Sequence, residues 1–291
     1  MNPLARARLE VLGAAFLFST GGAAIKAADF TGWQIAGLRS GVAAIAVWLL
    51  IPSSRQLRRG VAKTSLMVAL AYAATLTLFV LANRLTTAAN TIFLQATAPI
   101  YIVLLGPLLL RERVHRRDLG FLAAVAGGMA LFFVGKQATF ATAPNPLAGN
   151  ILAAISGVTY AGLLLGFRWL GTRGASTTSP VAWGNLLALL LAIPNLLPIG
   201  AHGAGDWAII AYLGVFQIGL AYYLLTRAVA HLPALELSLL LFLEPALSPL
   251  LAWLVHGEYP GPWALSGGIV IMGATALKTL IESRPVRAEP A

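Results

Sequence analysis

Residues 91–112, TIFLQATAPIYIVLLGPLLLRE, and residues 237–258, LSLLLFLEPALSPLLAWLVHGE, decide the fold. Each is a largely apolar run long enough to cross the ~30 Å hydrocarbon core of a bilayer as a helix. They stand 146 residues apart, so that Pro99 falls on Pro245 and Glu112 on Glu258. The same shift places Pro52 on Pro198 and Gly127 on Gly273. Alanine and leucine matches are cheap in this composition, whereas coincidences of proline and glutamate carry weight. The shift holds without a gap from the second to the fifth apolar run of each half. It fails for the first run, because the connection between the sixth and seventh is longer.

Working outward, ten apolar runs are long enough to span: roughly 9–28, 33–52, 64–82, 91–110, 118–135, 148–170, 180–199, 207–230, 233–256 and 263–281. They lack the alternation of barrel strands and read as helices, the form that satisfies every backbone group inside lipid. The first run follows Arg6 and Arg8 in the manner of a signal peptide, but nine more follow it, so it reads as a retained helix. The expected architecture is an all-α polytopic membrane protein of two five-helix repeats, residues 1–143 and 144–291. Five is an odd number, so the repeats must be inverted across the membrane. The charges agree: the Glu112 turn carries Arg111, Arg113, Arg116 and Arg117, while its twin Gly257-Glu258-Tyr259-Pro260 carries no basic residue. Inverted repeats mark alternating-access transporters.

Composition supports lipid as the solvent. Of 291 residues, 58% are hydrophobic and 10% charged, with a mean hydropathy of +0.81. Soluble domains carry about 25% charged residues. The net charge of +10 reads as a topology signal and not as a nucleic-acid footprint, because the basic residues sit in short gaps between apolar runs. With a cytoplasmic N-terminus, sixteen of the twenty Lys and Arg lie inside: Arg6 and Arg8; Arg55, Arg58, Arg59 and Lys63; the four of the Glu112 turn; Arg168 and Arg173; Arg227; and Lys278, Arg284 and Arg287. Lys26, Arg84 and Lys136 lie outside, and Arg39 falls within the second run. Both termini are expected in the cytoplasm.

Several classes of function are excluded. There is no cysteine, hence no disulfide, thiolate nucleophile or Cys-based metal site. No GxxxxGK[ST] or HExxH occurs. His115, His202, His231 and His256 lie near the ends of runs, with no Ser–His or carboxylate cluster. We expect no enzyme, no cofactor and no metal. A channel would need a continuous polar stripe or a selectivity ring, and the polar groups are too few and too central for one.

Polar groups inside the membrane are costly and need a reason. Glu244, near the middle of the ninth run, reads either as a contact for a substrate amine or a proton carrier, or as a carboxylate paired structurally with Lys26 or Arg39. Pro245 and Pro249, with Pro99 in the related fourth run, remove backbone donors and are expected to kink their helices. Arg39 has Asn185 as its repeat partner and reads as a structural latch between helices. Lys26 is expected to snorkel to the outer interface, Glu236 to cap a helix start, and Trp33, Trp207 and Trp263 to form the outer belt. Gly127-Gly128, Gly267-Gly268 and Gly273 read as sites of close helix approach.

Taken together, the duplicated halves, Leu38-Arg39, Thr97-Ala98-Pro99, Leu243-Glu244-Pro245 and the two Glu-bearing turns followed by Gly-rich helices resemble the drug/metabolite transporter (DMT) superfamily in its ten-helix EamA family. Within that superfamily the chain looks most like the YddG-type amino-acid exporters. It departs from the family pattern at Arg111, where Gly is common. The resemblance implies export of amino acids or related metabolites across a bacterial inner membrane, from a cavity framed by helices 1, 3, 4, 6, 8 and 9. Candidate substrate-binding residues fall on those helices: Phe16, Ser19 and Thr20; Tyr72, Thr75 and Phe79; Gln95 and Tyr101; Ser156 and Tyr160; Phe216 and Gln217; Glu244 and Ser248. An aromatic-lined pocket with few polar groups suits an amphipathic amino acid, with cationic drugs or other small metabolites as the alternative. The expected partners are a small-molecule substrate and the lipid bilayer, with no nucleic acid.

Overall fold

Backbone N–H and C=O groups in a hydrocarbon solvent have to pair within their own segment. In a computed structural model, which describes residues 3–56, 59–109, 116–134, 141–228, 231–232 and 240–282, every regular element is helical. The first run forms α1 (Pro3–Ser19) and α2 (Gly21–Ala27), the second α3 (Gly32–Leu50) and the third α4 (Ala62–Leu85). The fourth is divided into α5 (Ala88–Gln95) and α6 (Ala98–Leu109), and the fifth is α7 (Arg116–Leu131). The second half holds α8 (Pro146–Gly171), α9 (Ser179–Ala192), α10 (Ala204–Tyr212), a π-helical stretch (Leu213–Leu220), α11 (Ala221–Ala228), α12 (Leu243–His256) and α13 (Pro262–Glu282).

Each of the ten apolar runs therefore contains helix, and among the described residues six segments are long and apolar enough to cross a membrane. Some ends are set by local chemistry. Thr31 and Gln34 form a reciprocal capping box at the start of α3, and the Thr87 side chain accepts from the Asn90 N–H at the start of α5. Glu112 and Glu236, like Lys136, lie outside the described residues.

Connections between successive runs gather alternately at two ends of the bundle. At one end Lys26, in the last turn of the first run, reaches the carbonyls of Thr86 and Thr142 in the 3–4 and 5–6 connections. There too Gln34 donates to the carbonyls of Leu196 and Pro198 in the 7–8 connection. At the other end Ser53 and Thr178 join the 2–3 and 6–7 connections, 2.9 Å apart. Arg227, ending the eighth run, pairs there with Glu10, and Lys278 near the C-terminus with Asp118 at 2.5 Å.

Packing repeats under exchange of the halves. The third run meets the seventh as the second meets the eighth, and the third meets the sixth as the first meets the eighth. The fourth meets the sixth as the first meets the ninth. Counterparts also pack on one another: second on seventh, fourth on ninth and fifth on tenth. Glycine permits the last of these. A Cβ on Gly267 of α13 would lie 2.6 Å from the Gly128 carbonyl oxygen of α7. Gly127 and Gly273 differ from expectation: nothing lies within 4 Å of a Cβ built there, so they do not mark close approach.

Candidate functional site

Four spans are irregular near their middles, and the irregularities of the first and eighth meet. The first is interrupted at Thr20 between α1 and α2, the fourth at Ala96–Thr97, the eighth is π-helical over Leu213–Leu220, and the ninth is interrupted at Phe242. The second and last of these are related by the same shift of 146 residues. Each sits just ahead of its proline, so Pro99 and Pro245 occupy the first turn of α6 and α12, where a missing N–H costs little. The break thus precedes the proline, while Pro249 lies inside α12. Thr97 donates its hydroxyl to the Leu94 carbonyl at 2.6 Å, closing the end of α5.

At the first-run break, Thr20 pairs with the Tyr212 hydroxyl at 2.8 Å. A Cβ on the adjacent Gly21 would come within 2.8 Å of the Gln217 amide nitrogen, so helix one packs tightly against the π segment. π-Bulges concentrate at functional positions because they turn a side chain out of helical register. Here the side chain turned in is Gln217, whose Oε1 accepts from Arg39 at 3.4 Å. Arg39 is 1% exposed, also donates to the Leu76 carbonyl at 3.3 Å, and leaves its Nε without a partner. No carboxylate pairs with it among the described residues. Asn185 is buried in the same layer and donates to the Tyr72 hydroxyl at 3.0 Å. The rings of Tyr72 and Tyr222 lie 5.9 Å apart.

A second polar group joins α5, α8 and α4. Gln95 donates to Ser156 at 2.7 Å, Ser156 donates to the Thr75 carbonyl at 3.2 Å, and the Thr75 and Thr159 hydroxyls lie 2.9 Å apart. Gly157 lets α8 approach the broken fourth helix: its Cβ would lie 3.1 Å from the Leu94 carbonyl oxygen.

Glu244 lies in the first turn of α12, immediately after the break in the ninth span, and is partly exposed. It makes no hydrogen bond or ion pair among the described residues, and neither Lys26 nor Arg39 is its partner. Its charge acts on Tyr160 of α8 and on Tyr222 of α11, both also partly exposed. The same Tyr222 is within electrostatic reach of Arg39.

Other expected positions are placed differently. Tyr101 packs against the core around Phe93 and Phe121, with its hydroxyl 3.8 Å from the Met129 sulfur. Phe79 bridges two core clusters. Phe16 is 50% exposed, and Phe216 is half-exposed and stacks on Tyr212 with centroids 5.8 Å apart. Ser19 is buried and donates to the Phe16 carbonyl. Ser248 is buried against Gly22. Lys26 does not snorkel: its side chain is fully buried, 2.8 Å from Glu258.

The sequence profile of the EamA-like transporter family matches residues 7–134 and 147–280, one copy in each half. The chain belongs to the EamA-like transporter family. Among its relatives, the uncharacterized transporter YdfC of Bacillus subtilis (strain 168) is 26% identical over 190 residues, covering 64% of this chain and 61% of the relative. A probable terminal-alkyne amino-acid exporter of Streptantibioticus cattleyicolor is 30% identical over 184 residues, covering 60% of this chain and 58% of the relative. The alignments thus span about three fifths of these curated relatives. A solved crystal structure, 19% identical, superposes with a TM-score of 0.63 over 96% of this chain and 98% of its own, which shows a shared fold.

For an EamA chain, the functional reading of the sequence missed Tyr222 and the Lys26–Glu258 pair. Tyr222 lies two residues past the π segment, in the first turn of α11, and no spacing rule aligns it with Glu244, because a π turn resets the register. Lys26 and Glu258 are 232 positions apart and become neighbours only when the ends of the first and ninth runs close on one another.

Proposed function

We propose that this EamA-family transporter is a secondary exporter of α-amino acids with aromatic or aliphatic side chains, working by alternating access across a bacterial inner membrane. Ten spans with both termini in the cytoplasm are part of this reading. The observation that carries it is Glu244. A partly exposed carboxylate at the interruption of the ninth span, unpaired among the described residues and within electrostatic reach of two tyrosines, suits a primary ammonium group. The breaks in helices one, four and nine and the π stretch in helix eight supply polar backbone where a solute would otherwise meet a smooth apolar wall. The name of the Streptantibioticus relative adds support for an amino-acid cargo.

In this mechanism the solute enters from the cytoplasm and its ammonium docks on Glu244. Its apolar side chain lies against Tyr160 and Tyr222, and exchange of the two halves releases it outward. Arg39, buried and bonded to Gln217 and the Leu76 carbonyl, holds three helices in register and supplies a fixed positive charge within reach of Tyr222. The test is counterflow of labelled amino acids in proteoliposomes. Saturable uptake of aromatic or aliphatic members, mutually competitive, is the expected outcome; counterflow of none of them from folded protein overturns the amino-acid cargo. A carboxylate among aromatic rings also suits organic cations, so a lipophilic cation without a carboxylate belongs in the same assay.

A further inference from the structure

The ion pair between Lys26 and Glu258 is the most thoroughly buried among the described residues, with side-chain exposures of 0% and 1%. It sits where four connections of one end of the bundle converge. All three donors of the Lys26 ammonium are used: on Glu258 Oε1 at 2.8 Å, the Thr86 carbonyl at 2.8 Å and the Thr142 carbonyl at 2.6 Å. Glu258 in turn accepts from the Thr142 hydroxyl and, at 3.1 Å, from the Ala88 N–H in the first turn of α5. Gly257 aims the carboxylate: it ends α12 at φ 68°, a left-handed conformation that glycine adopts without strain. His256 adds a second tie from α12 to α2, its Nε2 lying 2.8 Å from the Ala23 carbonyl oxygen. Just beneath, a Cβ on Gly22 would lie 2.9 Å from the Ala88 Cβ and 3.3 Å from the Ser248 hydroxyl, so the first, fourth and ninth spans are in tight contact.

We infer that Lys26 and Glu258 form the latch of the outward gate, which is closed in this structure and which the pair opens by separating. The chemistry suits a gate. A buried ion pair gains little net stability over an apolar plug of the same size, because desolvation offsets its attraction. Once water enters, each ion recovers its hydration, so the wet, separated state is accessible in a way that an exposed greasy plug is not. The pair also clasps the two halves, since Lys26, Thr86, Ala88 and Thr142 precede the midpoint of the chain and Glu258 follows it. An outward step that parts the halves must break it.

This inference rests on the outward orientation proposed above, but its test needs no substrate. The chain has no cysteine, so Ser248→Cys, about 12 Å along α12 from the helix end at His256, is a unique reporter. Labelling by a small membrane-impermeant thiol reagent is read in right-side-out and inside-out vesicles, on protein checked for monodispersity. Adding Glu258→Gln is expected to raise labelling from the outside at least about tenfold, and Lys26→Met to do the same. The reversed pair Lys26→Glu with Glu258→Lys is expected to return it toward the parent. The apolar pair Lys26→Met with Glu258→Leu leaves no uncompensated charge and should fold. It is expected to hold the gate shut, so that external labelling falls below the parent. Unchanged labelling in folded Glu258→Gln protein overturns the inference. So does an apolar pair that labels as fast as the parent, and a rise seen only in inside-out vesicles. Absence of amino-acid counterflow with the labelling pattern intact would overturn the cargo and leave the latch standing.

Discussion

Glu244 and Arg39 look alike in the sequence, each a lone charge in an apolar run, and the structure gives them opposite settings. Glu244 is partly exposed and unpartnered among the described residues, whereas Arg39 is sealed and bonded to Gln217 and Leu76. Hydrogen bonds to charged groups are worth about 1.5–3 kcal/mol. Glu244→Gln is therefore expected to lower the apparent affinity for amino acids in counterflow by roughly 10- to 100-fold, with little change in thermal stability. Arg39 should behave the other way. Arg39→Ala leaves a cavity and strands the Gln217 amide, at a cost of about 2–4 kcal/mol, read as a lowered melting temperature in detergent. Arg39→Met fills the same volume without a buried charge and is expected to melt close to the parent. If Arg39→Met falls as far as Arg39→Ala, the guanidinium itself holds the cluster together.

At the scale of the element, the decisive features are the interruptions. Proline was legible in the sequence as a helix disturbance, and both related prolines do mark broken spans. The break lies just upstream of each, because proline is well placed in a first turn and poorly placed within a helix. The π stretch over Leu213–Leu220 carries no proline, and its glycines at 214 and 219 are unremarkable in a chain with 29 of them. The first and second spans press close to it: a Cβ on Gly214 would lie 2.5 Å from Val42, and one on Gly21 2.8 Å from the Gln217 amide nitrogen. Tight approach also governs α9 on α4, where a Cβ on Gly184 would meet the Tyr72 ring at 2.6 Å and the Ala69 carbonyl oxygen at 2.9 Å. Since the backbone oxygen has no rotamer to change, Gly184→Ala is expected to cost about 1–3 kcal/mol, measured as a drop in melting temperature. A value near zero would mean that α4 and α9 slide apart freely.

At the scale of the whole molecule, the alternation of connections between two ends and the exchange symmetry of the packing fit an inverted duplication. Orientation in the membrane is directly testable in this cysteine-free chain. Ala201→Cys, in the 7–8 connection, is expected to react with an impermeant maleimide on intact cells. Gln56→Cys, in the 2–3 connection, is expected to react only after permeabilisation. Both positions are exposed, so the reverse pattern would place the termini outside.

The sequence by itself determined what local rules and composition govern: helices, since lipid leaves a backbone few other choices; the duplication, since scarce prolines and glutamates recur at one spacing; and the family, since those features fall in its pattern. It also picked out Glu244, because an isolated carboxylate in an apolar run is conspicuous. The tertiary structure alone decided which charges meet. Lys26 was expected at the interface and instead lies buried on Glu258; Tyr101 was expected in the site and instead packs in the core; and Tyr222 entered the site unannounced. Helix rotation and the closure of chain ends fix such pairings, and both depend on contacts between different helices, which no periodicity within one helix records.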